Sequence, residues 1–164
     1  MIDLIVLDVD GCLTDGSIIY SDSGDETKAF DLKDGLAISA WVRLGHQAAI
    51  ITGRHSKLLE RRAKELGIIH LYQGVKDKAD QLSKLSVKLD IPMNRIAAIG
   101  DDLNDYRMLE MVGISFTPQD GSRHIRPVVK RVCEAKGGRG AVREMIEALF
   151  VVNDEMDDFI ALWH

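Results

Sequence analysis

No apolar run in the 164 residues approaches the ~18 that a membrane span needs, so no transmembrane segment is expected. The opening MIDLIVLDVDG has no basic stretch and carries Asp3, which does not read as a signal peptide. Cysteine occurs only twice, at Cys12 and Cys133, far apart and without zinc-ligand spacing. Both thiols read as reduced, buried small groups of a cytoplasmic protein. The 3 prolines and 14 glycines punctuate the chain without forming a linker, and no repeat or low-complexity stretch appears. One domain over residues 1–164 is therefore expected, with a C-terminal tail at 153–164. Basic side chains are outnumbered by acidic ones, 21 to 26, and the net charge is −5. Bulk charge of that sign makes a poor nucleic-acid binder.

Two things are plentiful. Hydrophobic residues make up 46% of the chain, enough for a core, which excludes wholesale disorder. Aspartate is in surplus: 18 of the 26 acids are Asp, and eight of those lie in the first 34 residues. Asp competes with the backbone for hydrogen bonds and is uncommon on helix faces, so this surplus points to caps, turns or metal ligands.

Short apolar runs at 2–7, 48–51, 70–72, 96–99 and 114–116 alternate with segments of helical periodicity at 34–44, 57–66, 77–89, 103–111 and 141–152. Runs of that kind suit strands buried on both faces of a parallel sheet. The alternation predicts an α/β fold, a Rossmann-like three-layer sandwich. Residues 17–20 and 27–30 break the pattern and read as a β-hairpin around a loop at 21–25. The hairpin is either a surface excursion or a flap over the C-terminal rim of the sheet, where open α/β proteins bind ligands.

Chemistry concentrates at predicted strand ends. DVDG at 8–11 places Asp8 and Asp10 two residues apart, and GDDLND at 100–105 adds Asp101, Asp102 and Asp105. Each cluster alone reads equally as a turn or helix cap. Together they are repelling carboxylates that a divalent cation would reconcile, and their oxygens suit Mg²⁺. ITGR at 51–54 brings Thr52, Gly53 and Arg54 to a third strand end, and GVKDK at 74–78 brings Lys76 and Lys78 to a fourth. Carboxylates, a hydroxyl and cations on one rim are what phosphoryl transfer requires.

In order, DVDG, ITGR, the lysine of GVKDK and GDDLND resemble the four motifs of the haloacid dehalogenase-like hydrolases, over residues 2–116. The resemblance implies that Asp8 is a nucleophile forming an aspartyl-phosphate and Asp10 a general acid and base. Thr52 would bind a phosphoryl oxygen, and Lys78, preferred over Lys76, would orient Asp8. Mg²⁺ would be held by Asp8, the Asp10 backbone carbonyl and Asp101, with Asp102 and Asp105 as outer support. Asp at position 10 fits a phosphatase better than the family's dehalogenases or ion pumps.

A further resemblance covers nearly the whole chain. DVDGCLTDG, the hairpin, KAFDLKDGLAI, HLYQGVKDK and GGRGAVRE are similar to the capless KDO 8-phosphate phosphatase family, KDO being 3-deoxy-D-manno-octulosonate, a sugar acid of lipopolysaccharide. That family implies a homotetramer in which a neighbour's hairpin closes each site. The roughly 10 residues that separate Gly16 from Glu26 are too few for an independent cap. Gly53, Arg54, Arg62, Lys33 and Arg139 are the expected substrate contacts, Arg54 and Arg62 for the acid group. Phe30 and Asp34 are expected to line the pocket, and Arg62 has the alternative of a solvated helix charge. GGRG at 137–140 is either a hinge or a gate. The tail is more like that of nine-carbon nonulosonate 9-phosphate phosphatases, which keeps that substrate as an alternative. A module similar to this one also occurs fused to cytidylyltransferases, so a non-catalytic oligomerisation module is the reading from another class. His55, His70 and His124 read as structural or solvated, and Trp41 as core.

Overall fold

The computed structural model describes all 164 residues. Its centre is β1, Leu4–Leu7, buried along its whole length. β1 lies between β4 (Gln47–Ile51) and β6 (Ile96–Ile99), parallel to both. Outside these lie β5 (His70–Tyr72) on one side, and β7 (Ile114–Thr117) and β8 (Arg131–Val132) on the other. The order is β5-β4-β1-β6-β7-β8, and every pairing is parallel. An all-parallel sheet needs cover on both faces, which explains why its strands are apolar runs.

Side chains alternate across the sheet. Ile5 and Leu7 join Ala48, Ile50, Ala97 and Ile99 on one face. There they pack under α1 (Leu32–Arg43), α2 (Lys57–Glu65), α5 (Ala141–Asn153) and α6 (Met156–Ala161), which contribute Ile38, Trp41, Leu59, Met145, Phe150 and Phe159. Leu4 and Val6 face the other way with Ala49, Ile51, Ile96 and Ala98. They are covered by Leu82 and Leu85 of α3 (Lys78–Leu89) and Met108 and Leu109 of α4 (Tyr106–Met111). This is the three-layer α/β sandwich the alternation predicts.

Register places the chemistry. Leu7 is level with Ile50 of β4 and Ile99 of β6, so Asp8 leaves the sheet level with Ile51 and Gly100. The strand order reverses at β1, and a crevice opens at such a switch point beyond the carboxyl ends of the strands.

Several elements differ from expectation. The hairpin strands are shorter, β2 at Ile19–Tyr20 and β3 at Glu26–Thr27. Their turn is closed by its own polar groups: the Ser23 hydroxyl donates to Asp25 at 2.7 Å and the Asp25 N–H to Ser21 Oγ at 3.1 Å. Helix α1 begins at Leu32, because Asp31 caps it by accepting from the N–H groups of Lys33 (2.7 Å) and Asp34 (3.1 Å). The predicted helix at 103–111 is a 3₁₀ turn, Leu103–Asp105, followed by α4, because Asp105 is turned inward. The two-residue β8 and the helix α6 inside the tail were not foreseen. A strand of two residues has no periodicity to read.

Candidate active site

Asp8 is the first residue beyond β1, tied to β6 by its N–H, which donates to the Ile99 carbonyl at 3.2 Å. Its carboxylate is buried. Lys78, the first residue of α3, reaches it from the far layer: Lys78 Nζ donates to Asp8 Oδ1 at 2.7 Å and to Asp105 Oδ1 at 2.5 Å. Both partners are buried, and Asp105 is fully so. Burial alone would push the ammonium toward its neutral form. The Asp8 and Asp105 charges outweigh that and hold it charged, above its ordinary pKa. Asp105 turns its other oxygen to the N–H groups of Asp101 (3.1 Å) and Asp102 (3.4 Å). It therefore ties the GDDLND turn to the lysine. Lys76 is exposed and absent from this cluster.

Asp101 comes from the end of β6 and meets Asp8. The two carboxylates and the Cys12 sulfur lie within 4.8 Å of one another. Gly11 makes the approach possible, because a Cβ there would overlap the Asp101 carboxylate. Burial, then the charges of Asp8 and Asp105, push the Asp101 carboxyl well above its usual range. The set is short of positive charge, and a hard divalent cation on the oxygens of Asp8 and Asp101 would supply it. Cys12 does not add a soft ligand. Burial, then the Asp8 charge, push its thiol far from the thiolate that metal binding requires.

The cleft above this cluster holds about 200 Å³ and is lined by Asp8, Asp10, Thr52, Gly53, Arg54, Asp101, Asp102 and Asn104, none of them apolar. Thr52 is buried at the end of β4, its backbone fixed by bonds to Tyr72 and Val75. Asp102 is exposed and accepts from the Leu103 N–H at 2.8 Å, so it closes the turn as well as facing the cleft.

A second charged set stands beside the first. Lys28, just past β3, forms an ion pair with Asp10 Oδ1 and lies 3.4 Å from Glu26. Arg54 donates to Glu26 at 2.8 Å and to the Tyr20 hydroxyl at 3.3 Å, and its Nε stands 3.7 Å from Asp10 Oδ2. Sequence reasoning assigned Arg54 and Asp10 and missed Lys28, Glu26, Tyr20, Cys12 and Asn104. A signal existed for two of these: Glu26 and Lys28 are two apart in extended chain and so share a face.

The other expected contacts lie elsewhere. Arg62 packs over Gly35, donates to the Asp31 carbonyl at 3.4 Å and faces the Phe30 ring at 5.7 Å. It lines a groove of about 350 Å³ with Lys28, Phe30 and Leu58, not the carboxylate cleft. Lys33 is exposed and lines neither space. Asp34 is buried and accepts from the Arg143 N–H at 2.7 Å, joining α1 to the start of α5 rather than lining a pocket. Arg139 is exposed beside Asp15, Phe30 and Asp31 in a third groove. The GGRG segment is packed against the nucleophile loop: the Gly138 N–H donates to the Cys12 carbonyl at 2.8 Å, and a Cβ on Gly137 would overlap the Gly11 carbonyl.

Comparison with known proteins adds an independent line. The family model of haloacid dehalogenase-like hydrolases matches residues 67–146. The 3-deoxy-D-manno-octulosonate 8-phosphate phosphatase of Salmonella typhi is 42% identical over 157 residues, 96% of this chain and 84% of that protein. The same-named protein of Yersinia pestis is 41% identical over 156 residues, 95% and 83% of the two chains. A crystal structure of the Moraxella catarrhalis phosphatase in complex with magnesium ion, phosphate ion and KDO superposes with a TM-score of 0.96. It is 44% identical over 99% of this chain and 94% of that one. The cobalt-bound enzyme of Haemophilus influenzae gives 0.90 at 32% identity, over 94% and 91%.

Proposed function

From a chain that belongs to the haloacid dehalogenase-like hydrolases, we infer a Mg²⁺-dependent phosphatase that releases phosphate from KDO 8-phosphate. It is a phosphoric monoester hydrolase. The carrying observation is the wholly polar cleft in which Asp8, Asp10, Thr52 and Asp101 converge over the buried Lys78, in a fold matching one solved with magnesium, phosphate and KDO.

The chemistry follows from the donors present. Lys78 holds one oxygen of Asp8, which leaves the other to attack phosphorus as the bond to the sugar oxygen breaks. Asp10 gives a proton to that departing oxygen and later takes one from the water that cleaves the aspartyl-phosphate. Thr52 and the Gly53 backbone line the space for the phosphoryl oxygens. Mg²⁺, on Asp8, Asp101 and the Asp10 carbonyl, would supply the positive charge that brings two anions together. Asp105 supports that set from behind, through Lys78 and the turn N–H groups, and Asp102 supports it from the cleft wall, where it closes the turn. Arg54, which lines the cleft, is our candidate for the acid group of the sugar, with Arg62, Lys33 and Arg139 as outer candidates.

A non-catalytic module would not need a lysine sealed between two buried carboxylates, since that arrangement is costly unless fully paired. The nine-carbon alternative drew on the tail, but α6 packs against α5, with Phe159 stacked on Phe150 at 4.8 Å, and lines no part of the cleft. Comparing kcat/KM on the eight- and nine-carbon phosphates, with Mg²⁺ and with EDTA, tests the assignment. Preference for the nine-carbon substrate, or full activity in EDTA, would overturn it.

The same reading includes a homotetramer in the cytoplasm with a neighbour's hairpin over each cleft. Its support is that Ile18, Ile19 and Tyr20 stand 53%, 48% and 61% exposed on the hairpin. No helix is long and apolar enough to cross a membrane. Light scattering should give four chains, and a fully active monomer would refute closure by a neighbour.

A further inference from the structure

Lys28 turns its side chain inward from the hairpin arm. Its side chain is 3% exposed, and its amino group lies beside a polar cleft. Burying an ammonium group is unfavourable unless its partners are fixed. Here they are Asp10 Oδ1 and, at 3.4 Å, Glu26, and Glu26 is in turn held by Arg54 at 2.8 Å. Four side chains of alternating charge thus link the hairpin, the loop after β1 and the loop after β4. A plain anchor for the hairpin would not have to end on Asp10. Lys28 also lines the groove with Phe30 and Arg62, so it stands where that groove meets the carboxylate cleft.

The arrangement has a chemical consequence for Asp10. An ammonium group is donor only. The oxygen it touches must accept, so a proton on this carboxyl group belongs on Oδ2. That oxygen accepts no hydrogen bond within the chain, with Arg54 Nε at 3.7 Å, and Asp10 lines the cleft. We propose that Lys28 is a positioning residue for the general acid: by occupying Asp10 Oδ1 it orients the carboxyl group so that Oδ2 delivers its proton to the leaving sugar oxygen. In the step, the Asp8 oxygen–phosphorus bond forms, the phosphorus–sugar oxygen bond breaks with its electron pair going to that oxygen, and the Oδ2 proton moves there. The proposal rests on the phosphatase reading, with Asp8 as nucleophile and Asp10 as acid.

Leaving groups separate this role from mere packing. A sugar alkoxide needs a proton as it departs, whereas p-nitrophenolate does not. The value of kcat/KM reports only the steps through release of the alcohol, so it isolates the acid's contribution. For Lys28→Met, kcat/KM on KDO 8-phosphate should fall at least tenfold further than on p-nitrophenyl phosphate. Asp10→Asn should show the same asymmetry, and Lys28→Arg should recover part of the loss. Glu26→Gln, which loosens Lys28 and also frees Arg54, should act in the same direction more weakly, and it serves if Lys28→Met does not fold, with Arg54→Gln measured beside it to subtract the Arg54 part. Equal losses on both substrates, or no loss on either, would overturn the proposal. Asp8→Asn is the control for the underlying reading. It should be inactive on both substrates, and a turning-over Asp8→Asn enzyme would sink the nucleophile assignment independently of Lys28.

Discussion

Asp8 and Asp10 are two residues apart and belong to two different charged sets. The inner set, Asp8, Lys78 and Asp105, is built on the sheet's rim and on the first turn of α3, and its side chains are 0–5% exposed. The outer set, Asp10, Lys28, Glu26 and Arg54, is completed by the hairpin, and its carboxylates are 18–20% exposed and Arg54 38%. The inner set sits where the phosphoryl group would be attacked. The outer one sits on the side from which the alcohol would leave. The difference teaches that, on the proposed reading, the part every phosphate ester shares rests on buried core elements, whereas the part that would meet a particular sugar is entrusted to an arm. Preorganised charge works best where little can move.

The largest expected effect lies in the inner set. Lys78→Met would leave two buried carboxylates without a cation, costing about 3–5 kcal/mol of stability. It should also lower turnover by roughly two orders of magnitude or more through loss of charge stabilisation. Urea unfolding of Lys78→Met beside Lys28→Met would sharpen the comparison. The outer replacement should cost less than half as much, because water reaches its carboxylates. Equal losses would break the distinction between core and arm.

Arg54→Gln is the next step down. If Arg54 binds the acid group, KM for the sugar phosphate should rise about tenfold, the loss of one charge-assisted hydrogen bond, with kcat changed by less than about threefold. Stability should move by less than about 1 kcal/mol, since an ion pair this exposed contributes little. A fall in kcat alone would place Arg54 with the acid rather than with binding.

The smallest effect on catalysis is expected from a control outside both sets, which acts on stability alone. Burial, offset in part by the Arg143 N–H, raises the Asp34 carboxyl to about 6. The folded state therefore holds this proton more tightly than the unfolded chain does. Its contribution to stability is largest at low pH and is lost as pH rises through about 6. Asp34→Asn keeps the acceptor for Arg143 and removes the charge. The variant should gain about 2–3 kcal/mol on wild type between pH 4 and pH 7 in denaturant melts, with kcat unchanged. A pH-independent difference would contradict the burial argument.

Asp8 of the inner set, with the cleft residues beside it, was legible in the sequence through a local rule, whereas the roles of Lys78 and Asp105 came from the family resemblance. A carboxylate directly after a buried apolar run leaves the sheet at its carboxyl end, and parallel strands align those ends. Asp8 directly follows β1 in this way, the Thr52 hydroxyl directly follows β4, and Asp101 lies one glycine past β6. Lys78 begins a helix whose cap, Asp77, accepts from the Asp80 N–H at 3.0 Å. The outer set was half legible. Arg54 follows a strand end, but nothing local says that the chain after β3 folds back to bury Lys28 on Asp10. The place of Arg62 was not legible, because its helix face could be read but not what faced it, which is Gly35 and the Asp31 carbonyl. The helix expected over 103–111 broke for the same kind of reason: Asp105 is spent on Lys78, 27 residues away, and on turn N–H groups.

By itself the sequence determined the alternation of strand and helix, the polar strand ends and the caps. These depend on neighbours along the chain, through periodicity and backbone hydrogen bonds. Only the tertiary structure decided which cation reaches which carboxylate. Lys78 meets Asp8 across 70 residues, and Lys28 meets Asp10 across 18 and an intervening hairpin. Coulomb attraction of that kind is strong at contact inside a desolvated site and has no direction along the chain. The partners are therefore set by where the layers and the arm come to rest.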